Sequence, residues 1–264
     1  MTRGRSQRVL VRHWDGSEER RRPDELVVEE PLTIELDAVT VTTTMRTPGH
    51  DFELAAGFCF TEGLLGDASV TSIRYCANEP AVDTEFNLVT VETDGAPPPT
   101  PRLGLTTSAC GLCGAESIEA LRERLSPLPA CETPMSADVL AKVPEQVRAF
   151  QELFGTTGGV HAAAAFDADG EPILVREDIG RHNAVDKVVG RMLLDGDLPA
   201  RGLGLFVSGR ASFEMVQKAW AAGFGVLVAV SAPSALAVET AAAAGLGLAG
   251  FVRDGQLNFY FPSA

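Results

Sequence analysis

The sequence predicts an α/β protein: a β-rich N-terminal portion followed by a sheet of buried strands covered by helices. Its second half alternates short apolar runs, GLGLFV (202–207), FGVLVAV (224–230) and LGLAGFV (246–252), with the helical segments SGRASFEMVQKAWAAG and SAPSALAVETAAAAG. The runs show no polar alternation, so both faces of each strand are expected to be covered, as in a parallel sheet under helices. The first half contains PLTIELDAVTVTTTM (31–45), rich in β-branched residues that do alternate. Hydrophobic residues make up 45% of 264 residues, enough for a sizeable core.

Taken in order, residues 1–22 hold seven arginines against Asp15, Glu18 and Glu19. Residues 1–24 read as a flexible, solvated basic tail, with a clamp for an anionic partner as the sharper alternative. A β-rich portion is expected over 25–130. It opens with two short strands in 31–45, turning at Asp37-Ala38. Helical spacing follows from Asp51, after Pro48, with Asp51 and Glu53 suiting a helix start. TSIRYCA and FNLVTVET read as strands, and GAPPPTPRLG as a proline-rich loop leading to TTSACGLCG. AESIEALRERL then reads as helix, with Glu116 and Glu119 early and Arg122 and Arg124 late, as the helix dipole favours. From 131 to 264 an α/β portion is expected. MSADVLAKVPEQVRAFQELF gives one or two helices broken at Pro144. GGVHAAAAFDADGEPILVRED gives a hairpin turning at Asp169-Gly170. A helix enters through Gly180-Arg181-His182, and the strand–helix alternation completes the chain.

Composition excludes several roles. The net charge of −14, with only Lys142, Lys187 and Lys218 as lysines, argues against binding nucleic acid by bulk charge. The longest apolar runs, near 219–230 and 241–252, fall short of the roughly 20 residues that span a bilayer. No apolar run follows the N-terminal arginines, so they do not read as a signal peptide. A soluble, cytoplasmic protein with no membrane partner is expected. Five cysteines, an odd number without an export signal, do not suggest a disulfide framework. Cys59 sits in an apolar helical run and reads as packing; Cys76 and Cys131 stand alone and read as inert.

Chemistry is expected in two places. In doubly covered sheets, ligands sit beyond the carboxyl ends of the strands. The loops there are Glu177–His182, Ser208-Gly209-Arg210 and Ser231-Ala232-Pro233-Ser234. Each leads into a helix whose free N–H groups favour an anion, and Arg181 and Arg210 add charge able to grip phosphate. Singly, each loop is better read as a serine cap beside a solvated arginine; the three together point to an anionic ligand. The second place is Cys110-Gly-Leu-Cys113. Zinc would need four ligands, and His13, His50, His161 and His182 are scattered. A dithiol oxidoreductase would place such a pair after an early strand, usually with a proline where Leu112 stands. A thiolate lowered in pKa at a helix start could carry sulfur as a persulfide, with Gly111 and Gly114 leaving it open to a bulky donor. These features allow sulfur transfer without selecting it over disulfide exchange.

SACGLCGAESIEAL, GGVHAAAA, REDIGRHNAVDKVVGRML, SGRASFEMVQKAWAAG and VSAPSALAVETA together resemble the FdhD family, from about residue 25 to the end. TPGHDFELAAGFCFTEGLL fits the family's early helix. The resemblance implies a cytidine deaminase-like mixed sheet with covering helices, and a homodimer. It implies an accessory sulfurtransferase of formate dehydrogenase that receives persulfide sulfur from a cysteine desulfurase. The sulfur goes to the molybdenum bis-molybdopterin guanine dinucleotide cofactor. Cys110 matches the persulfide-carrying cysteine and Cys113 the assisting one. Phe251, Val252, Arg253, Asp254, Gly255 and Gln256 match the family's cofactor-binding segment, making 131–264 the cofactor-binding portion. Read from residues alone, Arg253-Asp254-Gly255 is a hairpin turn, and Asp254 suits a base edge better than a phosphate. His161, Asp178 and His182 are further candidates for lining the site. The zinc-deaminase elements H-x-E and P-C-x-x-C are missing, so the resemblance carries architecture and not hydrolytic chemistry, with no metal expected. The rival reading is a non-catalytic chaperone that holds the finished cofactor.

Overall fold

A computed structural model describes residues 4–76, 86–98, 118–129 and 135–261. Its N-terminus departs from the expected flexible tail over 1–24. Strands β1 (Ser6–Trp14) and β2 (Glu19–Val27) pair antiparallel, from Ser6 opposite Val27 to Trp14 opposite Glu19. The turn supplies the reason. Asp15 Oδ1 accepts hydrogen bonds from the Ser17 and Glu18 N–H groups (2.9 and 3.0 Å) and the Ser17 hydroxyl (2.8 Å), while Gly16 takes φ of 101°. An Asp-Gly turn between alternating residues is a hairpin signal, and arginine density obscured it in the sequence.

The next four strands form a sheet of their own, around the first helix. They are β3 (Glu30–Leu36), β4 (Val39–Arg46), β5 (Val70–Tyr75) and β6 (Leu88–Thr93), in spatial order β4-β3-β6-β5. Asp37 and Ala38 both take positive φ (47° and 66°), closing the expected β3–β4 turn. Helix α1 (Asp51–Thr61) packs Leu54, Ala55 and Cys59 against Leu32, Ile34, Leu36, Val89 and Val91 of this sheet. Each fully buried Leu or Ile contributes about 1.5–3 kcal/mol relative to exposure.

Four short helices follow: α2 (Ile118–Arg124), α3 (Ala137–Leu140), α4 (Val143–Arg148) and α5 (Glu152–Thr157). The segment expected as one or two helices broken at Pro144 forms three, α3 to α5, and its first break falls at 141–142, just before that proline. Pro144 lies in the first turn of α4, where its missing N–H has no partner to lose. The rest of the chain is β7 (His161–Phe166), β8 (Pro172–Asp178), α6 (Arg181–Asp195), β9 (Gly204–Val207), α7 (Phe213–Ala222), β10 (Val226–Ala229), α8 (Ala235–Ala244), β11 (Gly247–Arg253) and β12 (Gln256–Phe261).

These six strands form one mixed sheet in the order β12-β11-β10-β9-β7-β8. β9, β10 and β11 are parallel; β7 runs against both β8 and β9, and β12 runs against β11. The carboxyl ends of β8, β9, β10 and β11 therefore meet at one edge. Ala163, Ala165, Leu205, Val207 and Leu227 face α6, α7 and α8 through Val188, Val216, Ala219 and Ala241. Ala164, Phe166, Phe206 and Val228 face Leu140, Val143 and Val147 on the other side. Both faces are covered, as the unbroken apolar runs require. The expected α/β class, with a mixed sheet and a β-rich N-terminal portion, is the class observed.

The two larger sheets are joined through α1, α6 and α7. A Cβ at Gly57 would lie 1.9 Å from the Asp186 carbonyl oxygen, and one at Gly190 1.8 Å from that of Glu53. Only glycines let α1 and α6 touch this closely. Beside the crossing, Lys218 Nζ donates to Thr61 Oγ1 and Asp186 Oδ1 (both 2.9 Å) and to Glu62 Oε1 (3.1 Å). Burial pulls the Lys218 pKa down, but the charges of Asp186 and Glu62 outweigh it and hold the ammonium above its ordinary value. Helix α2 is tied to the same corner by Arg124, which donates to the Glu62 carbonyl at 2.7 Å. Among the described residues, no helix is long and apolar enough to cross a membrane.

Candidate functional site

At the carboxyl edge, three loops are stitched together through their backbones. The Ser231 N–H donates to the Gly209 carbonyl, and the Phe251 N–H to the Ser231 carbonyl, each at 3.2 Å. Ala211 bridges Pro233, and the Ser234 N–H donates to the Ala211 carbonyl at 3.0 Å. Gly250 makes the approach possible: a Cβ there would lie 3.0 Å from Pro233 Cδ and Tyr260 Cε2. The structure thus brings the 208–210 loop, the 231–234 loop and the start of the 251–256 segment to one place. Arg210 is exposed on this edge.

Around Gly209 sit the polar side chains of the neighbouring elements. A Cβ at Gly209 would be 3.5 Å from Arg181 Cδ and from His161 Cε1 and Nδ1. His161 Nδ1 is 3.4 Å from Ser208 Oγ, which also accepts the Ala162 N–H at 2.9 Å. Burial lowers the His161 pKa, and the nearby Arg181 and His182 lower it further, against the opposing pull of Asp178. Arg181 Nε is buried and makes no hydrogen bond among the described residues. An unsatisfied buried donor on a cation suits an anionic ligand.

His182 and Glu214 clamp the starts of α6 and α7. His182 Nε2 lies 2.6 Å from Glu214 Oε2, and Ser212 Oγ donates to the same oxygen at 3.3 Å. The hydrogen bond from His182 holds the Glu214 carboxyl below its ordinary value, against the opposing effect of burial. An ionised carboxylate only accepts, so Nε2 carries the hydrogen. Both side chains are about one-sixth exposed (16% and 17%), so the pair is shielded from water but reachable. The sequence reading missed Glu214 and Ser212; the acidic residue in the first turn after a serine was the available signal.

Other expected residues fall differently. Asp178 is fully buried and saturated: it accepts from Lys187 Nζ (2.7 Å), the Thr47 and Gly180 N–H groups and Asn183 Nδ2. Its role is to hold the loop and not to line a pocket. Ser208 and Ser231 do not cap helices; Ser212 and Ser234 occupy the N-cap positions, and Ser234 accepts the Ala237 N–H at 3.2 Å. Along 251–256, Val252 is fully buried in the core, so it can offer a ligand only its backbone. Phe251 is 37% exposed at φ 53°, a strained position for an aromatic residue that projects its ring from the strand. Arg253 pairs with Gln256 across a two-residue turn in which Asp254 and Gly255 take φ of 52° and 71°. That is a hairpin turn, as the residues alone indicate.

Cys110, Cys113 and Cys131 lie outside the described residues. Cys59 is fully buried, and burial together with Asp186, Asp37 and Glu62 pushes its thiol up to about 12. It is not a nucleophile. Cys76 is also buried, with Sγ 3.7 Å from the Leu88 carbonyl.

Comparison with known proteins is consistent along the chain. The FdhD/NarQ family model matches residues 27–264. A sulfur carrier protein FdhD from Nocardia farcinica is 51% identical, covering 91% of this chain and 87% of its own. The protein of that name from Streptomyces coelicolor is 49% identical over 98% and 95% of the two chains. A crystal structure of a candidate formate dehydrogenase accessory protein from Desulfotalea psychrophila shares the fold, with TM-score 0.72 and 20% identity over 97% and 96% of the two chains. With a family match spanning nine-tenths of its length and relatives near half identity, the chain belongs to the FdhD/NarQ family.

Proposed function

We propose that this protein is a sulfur carrier serving a formate dehydrogenase in the cytoplasm. Cys110 takes the outer sulfur of a cysteine desulfurase persulfide and delivers it to the molybdenum bis-molybdopterin guanine dinucleotide cofactor, its substrate. In the first step the Cys110 thiolate attacks that sulfur, a new S–S bond forms, and the donor's thiolate leaves, so no outside oxidant is needed. On delivery, the acceptor supplies the electron pair for the new bond to sulfur, and Cys110 leaves as a thiolate. Cys113 assists.

The observation carrying this reading is the Cys110-Gly-Leu-Cys113 pair in a chain whose half-identical relatives are named sulfur carriers. The burial of Cys59 and Cys76 supports it by removing two rival nucleophiles. The carboxyl edge supports the substrate class. Arg181, Arg210 and the helix starts beside them suit phosphates, and the exposed Phe251 ring suits a guanine face.

Intact-mass analysis after incubation with a desulfurase and cysteine tests the proposal. The expected adduct is about 32 Da and is lost in Cys110→Ala; undiminished loading of that variant rejects Cys110 as the carrier. Full activation of the dehydrogenase by a Cys110→Ala/Cys113→Ala protein would favour the chaperone reading instead.

A further inference from the structure

The charged pairs along α6 come in two chemical forms. Below the carboxyl edge they are built from lysine, Lys187 with Asp178 and Lys218 with Asp186, and both pairs are buried. Lysine ordinarily carries a fixed charge across the neutral range. At the edge the pair is His182 with Glu214, and imidazole is the side chain that ordinarily gains and loses its proton there. A clamp between two helix starts needs no group that titrates. His50 also touches a carboxylate, Glu53, but Arg176 already pairs with that group.

The geometry leaves one ring nitrogen of His182 available. Ser212 Oγ holds the Glu214 carboxylate, and the same carboxylate oxygen holds His182 Nε2–H. Nδ1 makes no hydrogen bond to any described residue, and the side chain keeps 16% of its surface open. A carboxylate at one nitrogen stabilises the imidazolium and lets the other nitrogen exchange a proton with a substrate. The charged and titratable groups around the pair are Lys218 on α7, Glu62 after α1, His161 on β7, Asp178 at the end of β8, and Arg181 and Asp186 on α6 itself. Arg181, with its buried and unmatched Nε, puts the pair beside the place proposed for the anionic cofactor.

We propose that His182 is the acid–base residue of sulfur delivery, acting through Nδ1 on the sulfur in transit, with Glu214 and Ser212 as positioning residues. The role rests on the carrier reading above. The outer sulfur of a persulfide, when anionic, repels an incoming electron pair. His182 Nδ1 gives it a proton. The acceptor's electron pair forms the new bond to sulfur, and the S–S bond breaks with its own pair leaving on Cys110. Nδ1 then takes the proton back from the delivered sulfur. The acceptor loses two electrons, the S–S bond gains them and the imidazolium is restored, so the step balances with no further reactant.

Single-turnover delivery tests the role. Wild type and variants are loaded by a desulfurase and cysteine and freed of the donor. They are then mixed, without oxygen, with molybdenum bis-molybdopterin guanine dinucleotide released from a purified enzyme. Loss of the ~32 Da adduct is followed by intact mass between about pH 6 and 9. Wild-type delivery should slow as pH rises through the imidazole range. His182→Asn should load normally, deliver at least about 100-fold more slowly and lose that pH limb. Glu214→Gln keeps the imidazole but removes its stabilising charge, so its limb should move to lower pH. Delivery by His182→Asn within about threefold of wild type, a pH limb retained by that variant, or an unmoved limb in Glu214→Gln overturns the role and leaves the carrier reading standing. Glu214→Gln decides the matter should His182→Asn fail to fold. A wild type that loads no sulfur, or keeps its adduct in the presence of the cofactor, overturns the carrier reading and this role with it.

Discussion

Helix α6 serves two regions on different terms. At its start, Arg181 and His182 stand at the carboxyl edge, partly exposed, with one buried guanidinium donor unmatched among the described residues. One to three turns later, Asp186, Lys187 and Gly190 are buried in the joint with α1, α7 and the end of β8. There every charge has a partner within about 3 Å: Lys187 has Asp178 (2.7 Å), and Asp186 has Lys218 and Thr61 (2.9 and 2.8 Å). Saturated pairs fix geometry, while an unsaturated set can take up a ligand. The difference separates residues that hold the molecule together from those available to work on something else.

Breaking the joint should cost most. Lys187→Met strands the fully buried Asp178 carboxylate and should lower unfolding free energy by about 3–5 kcal/mol in urea titration; a loss below about 1 kcal/mol would mean the joint is not the anchor described. Gly190→Ala drives a methyl into the Glu53 carbonyl and should cost about 3 kcal/mol, again without altering the edge residues.

Acid should reveal an intermediate case. Glu53 accepts from Arg176 Nη2 at 2.9 Å; burial raises its pKa, but the hydrogen bonds from Arg176 and His50 bring it down to about 2. Its folded value lies below the ordinary 4.5, so its contribution to stability is full above that value and fades as pH falls towards 2. Glu53→Gln should flatten this part of the acid limb; an unchanged slope between pH 4.5 and 2 would contradict the pairing.

The edge should show the reverse pattern, with small stability effects and functional ones. His182→Asn removes the hydrogen bond that lowers Glu214, so carboxyl NMR should find the Glu214 pKa moved up; no movement would separate the two residues. Arg210→Ala should change stability by less than about 0.5 kcal/mol, since the side chain is exposed. Under the proposed function it should weaken guanine-nucleotide binding in calorimetry while Cys110 loads sulfur normally; equal affinity would remove Arg210 from the site.

The apolar runs at 202–207, 224–230 and 246–252 made the buried sheet legible because a strand covered on both faces leaves no room for polar alternation. Serine- and glycine-rich loops marked the edge for a similar local reason. What the sequence hid depends on distant contacts. Gly57 and Gly190 read as ordinary helix glycines until α1 and α6 are seen to touch. Lys218 and Asp186 are 32 positions apart and become a pair only through packing. Asp178 looked like a candidate because it adjoins Arg181 and His182 at the carboxyl edge, yet its side chain turns inward to Lys187. At the N-terminus the signal was present in Asp15-Gly16 and was outweighed by the arginines around it.

The burial of Cys59 and Cys76 has a practical consequence. A thiol-specific dye added to the native protein should leave those two sulfurs unlabelled, while the unfolded chain offers all five. The gap between the folded and denatured counts is then a built-in gauge of core integrity, and it lets reactivity at positions 110 and 113 be followed without background from either buried group.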